Sequence, residues 1–127
     1  MSNTNPTPIS HITAEHSSWL RGISFYQDEI RIMKNRLDEL IDQSAGLQFQ
    51  SRIDEREVDL HALHEAIEKH VHHLERDVET RDNSVTNSAM AEHDSMRDRY
   101  YALENAINVL RHEFNAFIVK SHHNEAK

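Results

Sequence analysis

The sequence predicts an all-α fold, an up-down-up antiparallel three-helix bundle of long helices. Three observations predict it. The 127 residues hold only two glycines and two prolines, and both prolines, Pro6 and Pro8, lie among the first eight residues. A sheet needs many tight turns, and turns draw on Gly and Pro. Three segments carry apolar residues at alternating steps of three and four, the period of a helix seam. Two polar stretches separate those segments and supply the connections.

The first helix is expected over about residues 10–42. Its seam reads Ile12, Trp19, Ile23, Tyr26, Ile30, Met33, Leu37 and Leu40, with Leu47 continuing the spacing. Ser10 or Thr13 can cap its start, and Glu15 suits the first turn of a helix dipole. Gly46 reads as a glycine closing the helix, with Leu47 as the apolar residue after it. The second helix is expected from Ser51, where Ser51-Arg52-Ile53-Asp54 resembles a capping box. Ile53, Leu60, Ile67 and Leu74 recur every seven residues, Leu63 falls between them, and Val71 and Val78 widen the stripe. Its intervening positions are otherwise polar (Arg56, His70 and Asp77), so this seam is the most interrupted of the three. After the polar run TRDNSVTNS, the third helix is expected over about residues 88–120. Its seam is Ala89, His93, Met96, Tyr100, Leu103, Ile107, Leu110, Phe114 and Phe117. Residues 1–9 are expected to be a disordered arm, residues 10–120 the bundle and residues 121–127 a frayed tail. Phe25 and Tyr101 lie one step off their seams and are read as widening the core, with a small partner-binding face as the alternative. Ile30, Ile67, Leu103 and Ile107 lie mid-seam and are expected to be among the most buried residues.

Composition narrows the function classes. The formal net charge is −8 with histidines neutral, which argues against nucleic acid and against an anionic membrane surface. There is no cysteine, so disulfides, thiolate metal sites and thiol nucleophiles are excluded. No stretch approaches the roughly 20 apolar residues of a membrane helix, and the N-terminus lacks signal-peptide character. A cytoplasmic protein is the expectation. Eleven histidines are a large excess, and protonating all of them would carry the formal charge from −8 to +3. Serines fall in caps and loops without a glycine-rich elbow, and there is no phosphate loop.

The stretch WLRGISFYQDEIRIMKNRLDEL, residues 19–40, resembles short uncharacterised helical-bundle proteins of the Bacteroidota. The resemblance covers about one helix. It implies a bacterial helical protein and brings no activity, cofactor or site residue with it.

The chemistry-bearing feature is a repeat. Ala-Glu-His-x-Ser occurs at residues 14–18 and again at 91–95, and an offset of 77 residues aligns the two seams. His16 and His93 are therefore expected in one layer of two parallel helices. With turns centred near residues 46–47 and near 85, the residue opposite both on the middle helix is Asp77, and His73 lies one turn before it. The expected site is His16, His93, His73 and Asp77, with His70, Glu15 and Glu92 nearby and both glutamates pointing off the seam. The first reading is a hydrogen-bonded polar layer at a wet bundle end, where a carboxylate would raise the folded pKa of its histidine. The second is a metal site, since facing helices hold Zn, Fe or Mn through imidazole and carboxylate. The bundle has none of the Glu-x-x-His of di-iron proteins and too little Gly and Ala at these layers to admit a haem.

The remaining histidines of HEAIEKHVHHLE, residues 64–75, and those of the pairs His61/Glu65, His64/Glu68, His11/Glu15 and His72/Asp77 read as a solvated face with weak local pairs. Hemerythrin-like bundles use similar spacings, but the order differs and a fourth helix is missing. The expected function is a non-enzymatic structural or protein-interaction module that needs no cofactor and has another copy or another protein as partner. The alternative is a metal-binding bundle holding zinc or iron at the histidine/aspartate end.

Overall fold

A computed structural model describes residues 9–40, 43–80 and 87–125. Of the expected arm, residues 1–9, the first eight lie outside the described residues, and Ile9 already begins α1. Three helices follow in order: α1 (Ile9–Asp38), α2 (Leu47–Thr80) and α3 (Asn87–Glu125), with a single 3-10 turn at Gln43–Gly46 before α2. They pack on one another, and there is no strand among the described residues. The chain is an all-α three-helix bundle, and none of its described helices is long and apolar enough to cross a membrane.

The α1 seam is buried along its length: Ile12, Trp19, Ile23, Tyr26, Ile30, Met33, Leu37 and Leu40 all lie inside. So do Ile53, Leu60, Leu63, Ile67 and Leu74 of α2, and Tyr100, Ile107, Leu110 and Phe114 of α3. Helix pairing follows the seams. Across the parallel pair α1/α3, Tyr26 Oη donates to Glu104 at 2.9 Å and Arg111 Nη1 to Glu29 at 2.5 Å. Across the antiparallel pairs, Lys34 meets Glu57 at 2.7 Å and Arg52 meets Glu113 at 2.8 Å.

The first connection departs from the sequence reading. The last turn of α1 tightens, with Glu39 N and Leu40 N bonding the carbonyls three residues back at 3.3 and 3.1 Å. Gly46 is not a helix-ending glycine in a left-handed conformation. It is buried, and a Cβ there would sit 2.8 Å from Leu37 Cδ2 and 3.2 Å from Leu40 Cδ1. The close approach of these two leucine side chains to its backbone is what favours glycine here. The chain re-enters helix at once, so Ser51 lies inside α2 and caps nothing. Leu47 is 66% exposed, and Phe49 takes the buried place instead, its ring 4.8 Å from Phe117 and 5.6 Å from Phe114.

Three further expectations change. Leu103 is only partly buried, because it lines a shallow α2–α3 groove with Arg56 and Asp59, where the α2 seam is polar. Phe25 and Tyr101 are each 53% exposed, so they do not widen the core. Helix α3 continues to Glu125, beyond its expected end at Lys120.

Candidate metal centre

The apolar core is interrupted once. The main cluster ends at Trp19, and a small cap of Ile12, Leu74 and Ala89 closes the bundle beyond it. Between them lie three buried histidines, one from each helix: His16 (6% exposed), His70 (1%) and His93 (0%). This layer is buried rather than the wet bundle end expected from sequence, with the apolar cap between it and the loops.

The three rings converge. His93 Nδ1 lies 3.2 Å from His16 Nε2 and 3.2 Å from His70 Nε2, and all three inner nitrogens fall within 4.8 Å of one another. The outer nitrogens of two rings meet carboxylates. His93 Nε2 is 2.8 Å from Glu15 Oε1, and His70 Nδ1 is 2.6 Å from Glu92 Oε1. Arg97 grips Glu15 in a bidentate pair, Nε to Oε2 at 2.9 Å and Nη2 to Oε1 at 2.7 Å. That guanidinium holds the Glu15 carboxyl down at about 2, against the opposing effect of burial. Burial acts on Glu92 as well, but its histidine hydrogen bonds prevail and its pKa is lowered.

Two ionised carboxylates fix the tautomers. His93 must carry its proton on Nε2 to donate to Glu15, and His70 must carry one on Nδ1 to donate to Glu92. In the neutral rings, the inner nitrogens of both are then bare lone pairs, facing each other at 3.2 Å. His16 Nε2–H can donate to His93 Nδ1, but no other donor among the described residues meets the His70–His93 contact. A further proton there would make His70 an imidazolium in a buried layer. Burial opposes that charge and, despite Glu92, lowers the His70 pKa. His16 is driven further, to about 4, first by burial and then by the two neighbouring imidazoles. The sequence expectation that a carboxylate would raise these pKa values therefore fails for both. Burial outweighs Glu92 at His70, and Glu15 lies on His93 rather than on His16.

Of the four residues expected to form the site, His16 and His93 are in direct contact. His73 stands at the exposed rim, its Nδ1 3.3 Å from both Glu92 oxygens, and does not enter the cluster. The side chain of Asp77 lies outside the described residues. His70 takes the place opposite His16, seven residues earlier on α2. The cause is the early start of α2 and the early end of α1, which move the hairpin centre toward the N-terminus and shift the stagger by one heptad.

Sequence reading named His70 only as a neighbour and set Glu15 and Glu92 aside as pointing off the seam. The signal was present in the repeat itself. A residue one step before a seam position sits about 100° round the helix, at the flank facing the next helix. Glu15 of α1 thus reaches α3, and Glu92 of α3 reaches α2. Each Ala-Glu-His supplies one inner imidazole and one carboxylate that holds the imidazole of the next helix.

The expected local pairs do form on the outer face: His61–Glu65 and His64–Glu68, each at 3.1 Å. His61 and His72 are exposed, as the seam register requires. Fold and site together define a three-helix bundle with a buried tri-histidine cluster braced by two glutamates. Compared with known proteins, the chain matches no family model, no curated sequence and no solved structure.

Proposed function

We propose that this chain is a metal-binding helical bundle whose centre is His16, His70 and His93. The observation that carries this reading is the 3.2 Å approach of His70 Nε2 to His93 Nδ1 with a carboxylate on the far side of each ring, which with ionised glutamates and neutral imidazoles sets two lone pairs face to face. Carboxylate–histidine–metal arrays use such outer-sphere bonds to fix the tautomer and raise ligand basicity. A divalent ion would replace the missing proton without placing an imidazolium in the core. Two of the three spacings match those of a tetrahedral ion, while the His16–His70 pair, within 4.8 Å, closes further on binding. Two imidazole nitrogens at ~2.0–2.1 Å from zinc stand ~3.3 Å apart, close to the 3.2 Å of both contacts. Three neutral imidazoles suit zinc, and iron or cobalt in the divalent state follows with lower preference for this geometry.

The test is the metal content of protein purified without an affinity tag, followed by zinc and cobalt titration of the metal-free form. The expected result is one ion per chain, lost in His16→Ala, His70→Ala and His93→Ala and kept in His61→Ala and His72→Ala. The exposed-histidine variants matter because eleven histidines bind metals weakly without any site. A folded protein with no stoichiometric ion would leave the layer as a hydrogen-bonded polar core. The structural or protein-interaction module expected from sequence would then stand.

A further inference from the structure

The third helix carries a stripe of charge that is complementary to its own reverse. Glu92, Arg99, Ala106, Glu113 and Lys120 recur every seven residues along α3. A residue seven positions on lies two turns away and only ~20° round the helix, so the five share one side. Inverted about Ala106, the stripe sets a base against an acid at every step: Arg99 against Glu113, and Lys120 against Glu92.

The middle of this side is uncovered. Ala102 is exposed, Val109 is half-exposed, and Leu103 and Ala106 are half-buried. With Leu110 they line two shallow grooves against α2. The charges of the stripe are not balanced within the chain. Arg97 and Arg111 of α3 are committed to Glu15 and Glu29, but Arg99 and Lys120 are exposed and meet no carboxylate among the described residues. Glu113 and Glu92 remain partly exposed beyond their partners Arg52, His70 and His73. On α2, Arg56 already engages Glu55 and Asp59, at 3.3 and 3.5 Å.

We propose that α3 docks antiparallel against α3 of a second copy of this chain, with the two-fold axis at Ala106. Such a contact is isologous, so each pair occurs twice: Arg99 with Glu113 of the second copy, and Lys120 with its Glu92. Alanine on the axis lets the helices approach toward the short end of the ~8–10 Å range, and a crossing near 20° keeps long antiparallel helices side by side. Val109 then falls beside Ala102 of the second copy, large against small. A partner of another sequence would need only an acid for Arg99; the inverted order of both charge pairs about one alanine specifies this chain. The formal charge of −8 on each copy opposes contact through most of the surface, and this stripe holds two cations that no acid of the chain neutralises. Ala106 lies ~20 Å along α3 from His93, so the inference stands apart from the metal reading.

The experiment is equilibrium sedimentation in chelator, so that metal bridging of exposed histidines cannot mimic association, with circular dichroism to confirm folding. Wild type should dimerise in the micromolar to submillimolar range. Val109→Glu should keep the fold and give a monomer. Arg99→Glu and Glu113→Arg each turn two attractions into two repulsions, and each should weaken the dimer by about tenfold or more. Mixed in equal amounts, these two variants should form a heterodimer close to wild-type affinity, because every 99–113 pair is again of opposite charge. The double variant Arg99→Glu/Glu113→Arg should dimerise with itself for the same reason. Phe25→Ser, on α1, should change nothing. Wild type that stays monomeric throughout the range overturns the inference. So does a dimer that Val109→Glu spares or Phe25→Ser abolishes, since another face then makes it. Single variants that recover neither on mixing nor when combined overturn the antiparallel pairing.

Discussion

Acidifying the metal-free protein should weaken it through His16, and the size of the effect follows from the layer's burial. The His16 pKa is lowered from 6.5 to about 4 in the folded chain. A depressed histidine binds fewer protons folded than unfolded across that interval, so stability falls as pH falls from the unfolded value toward the folded one. At ~1.4 kcal/mol per pKa unit, the whole interval corresponds to about 3 kcal/mol. The ring is only 6% exposed, so solvent screening does not discount the figure. About 2 kcal/mol of it should be lost between about pH 7 and about pH 5, before the Glu15 contribution, held down to about 2, begins to fade. The assay is urea unfolding followed by circular dichroism, in chelator, at a series of pH values, for wild type and His16→Leu. Leucine cannot protonate, so the stability gap between the two proteins should move by about 2 kcal/mol against wild type on acidification. Parallel pH curves, or a gap that moves in favour of wild type, would refute the claim that burial governs this histidine.

Other consequences can be checked independently. Gly22→Ala should destabilise by about 1–3 kcal/mol, because the new methyl runs into the Tyr100 hydroxyl and lies 2.9 Å from its Cζ. The helix-propensity gain of ~1 kcal/mol only partly offsets this. Tyr100→Phe in the same chain should recover part of the loss, and a simple gain in stability from Gly22→Ala would contradict the packing. Ile107→Ala should cost roughly 2–5 kcal/mol, while Leu103→Ala, at the half-buried groove, should cost less than about 2 kcal/mol; equal losses by denaturant titration would contradict the assigned stagger. Trp19, the only tryptophan, has its ring centroid 4.9 Å from that of His93. Copper or cobalt at the centre should therefore quench its fluorescence stoichiometrically, and an unaltered emission with bound metal would place the ion elsewhere.

The sequence by itself determined the three helices, nearly every seam residue, and the shared layer of His16 and His93. Helical periodicity is a local property, and two parallel helices with matched seams leave little freedom in register. The tertiary structure decided the rest of the site. Which α2 residue faces His16 depends on where one helix stops and the next begins. Gly46 packing against Leu37 and Leu40 sets that point, and no period within either helix records it. A shift of one heptad preserves the apolar pattern of α2 while exchanging Asp77 for His70, so the seam could not distinguish the two. Whether the layer is exposed or buried was equally a matter of packing. Ile12, Leu74 and Ala89 come from three different helices and form a cap only when assembled. That cap is what makes burial, rather than a neighbouring carboxylate, govern the protonation of His16 and His70.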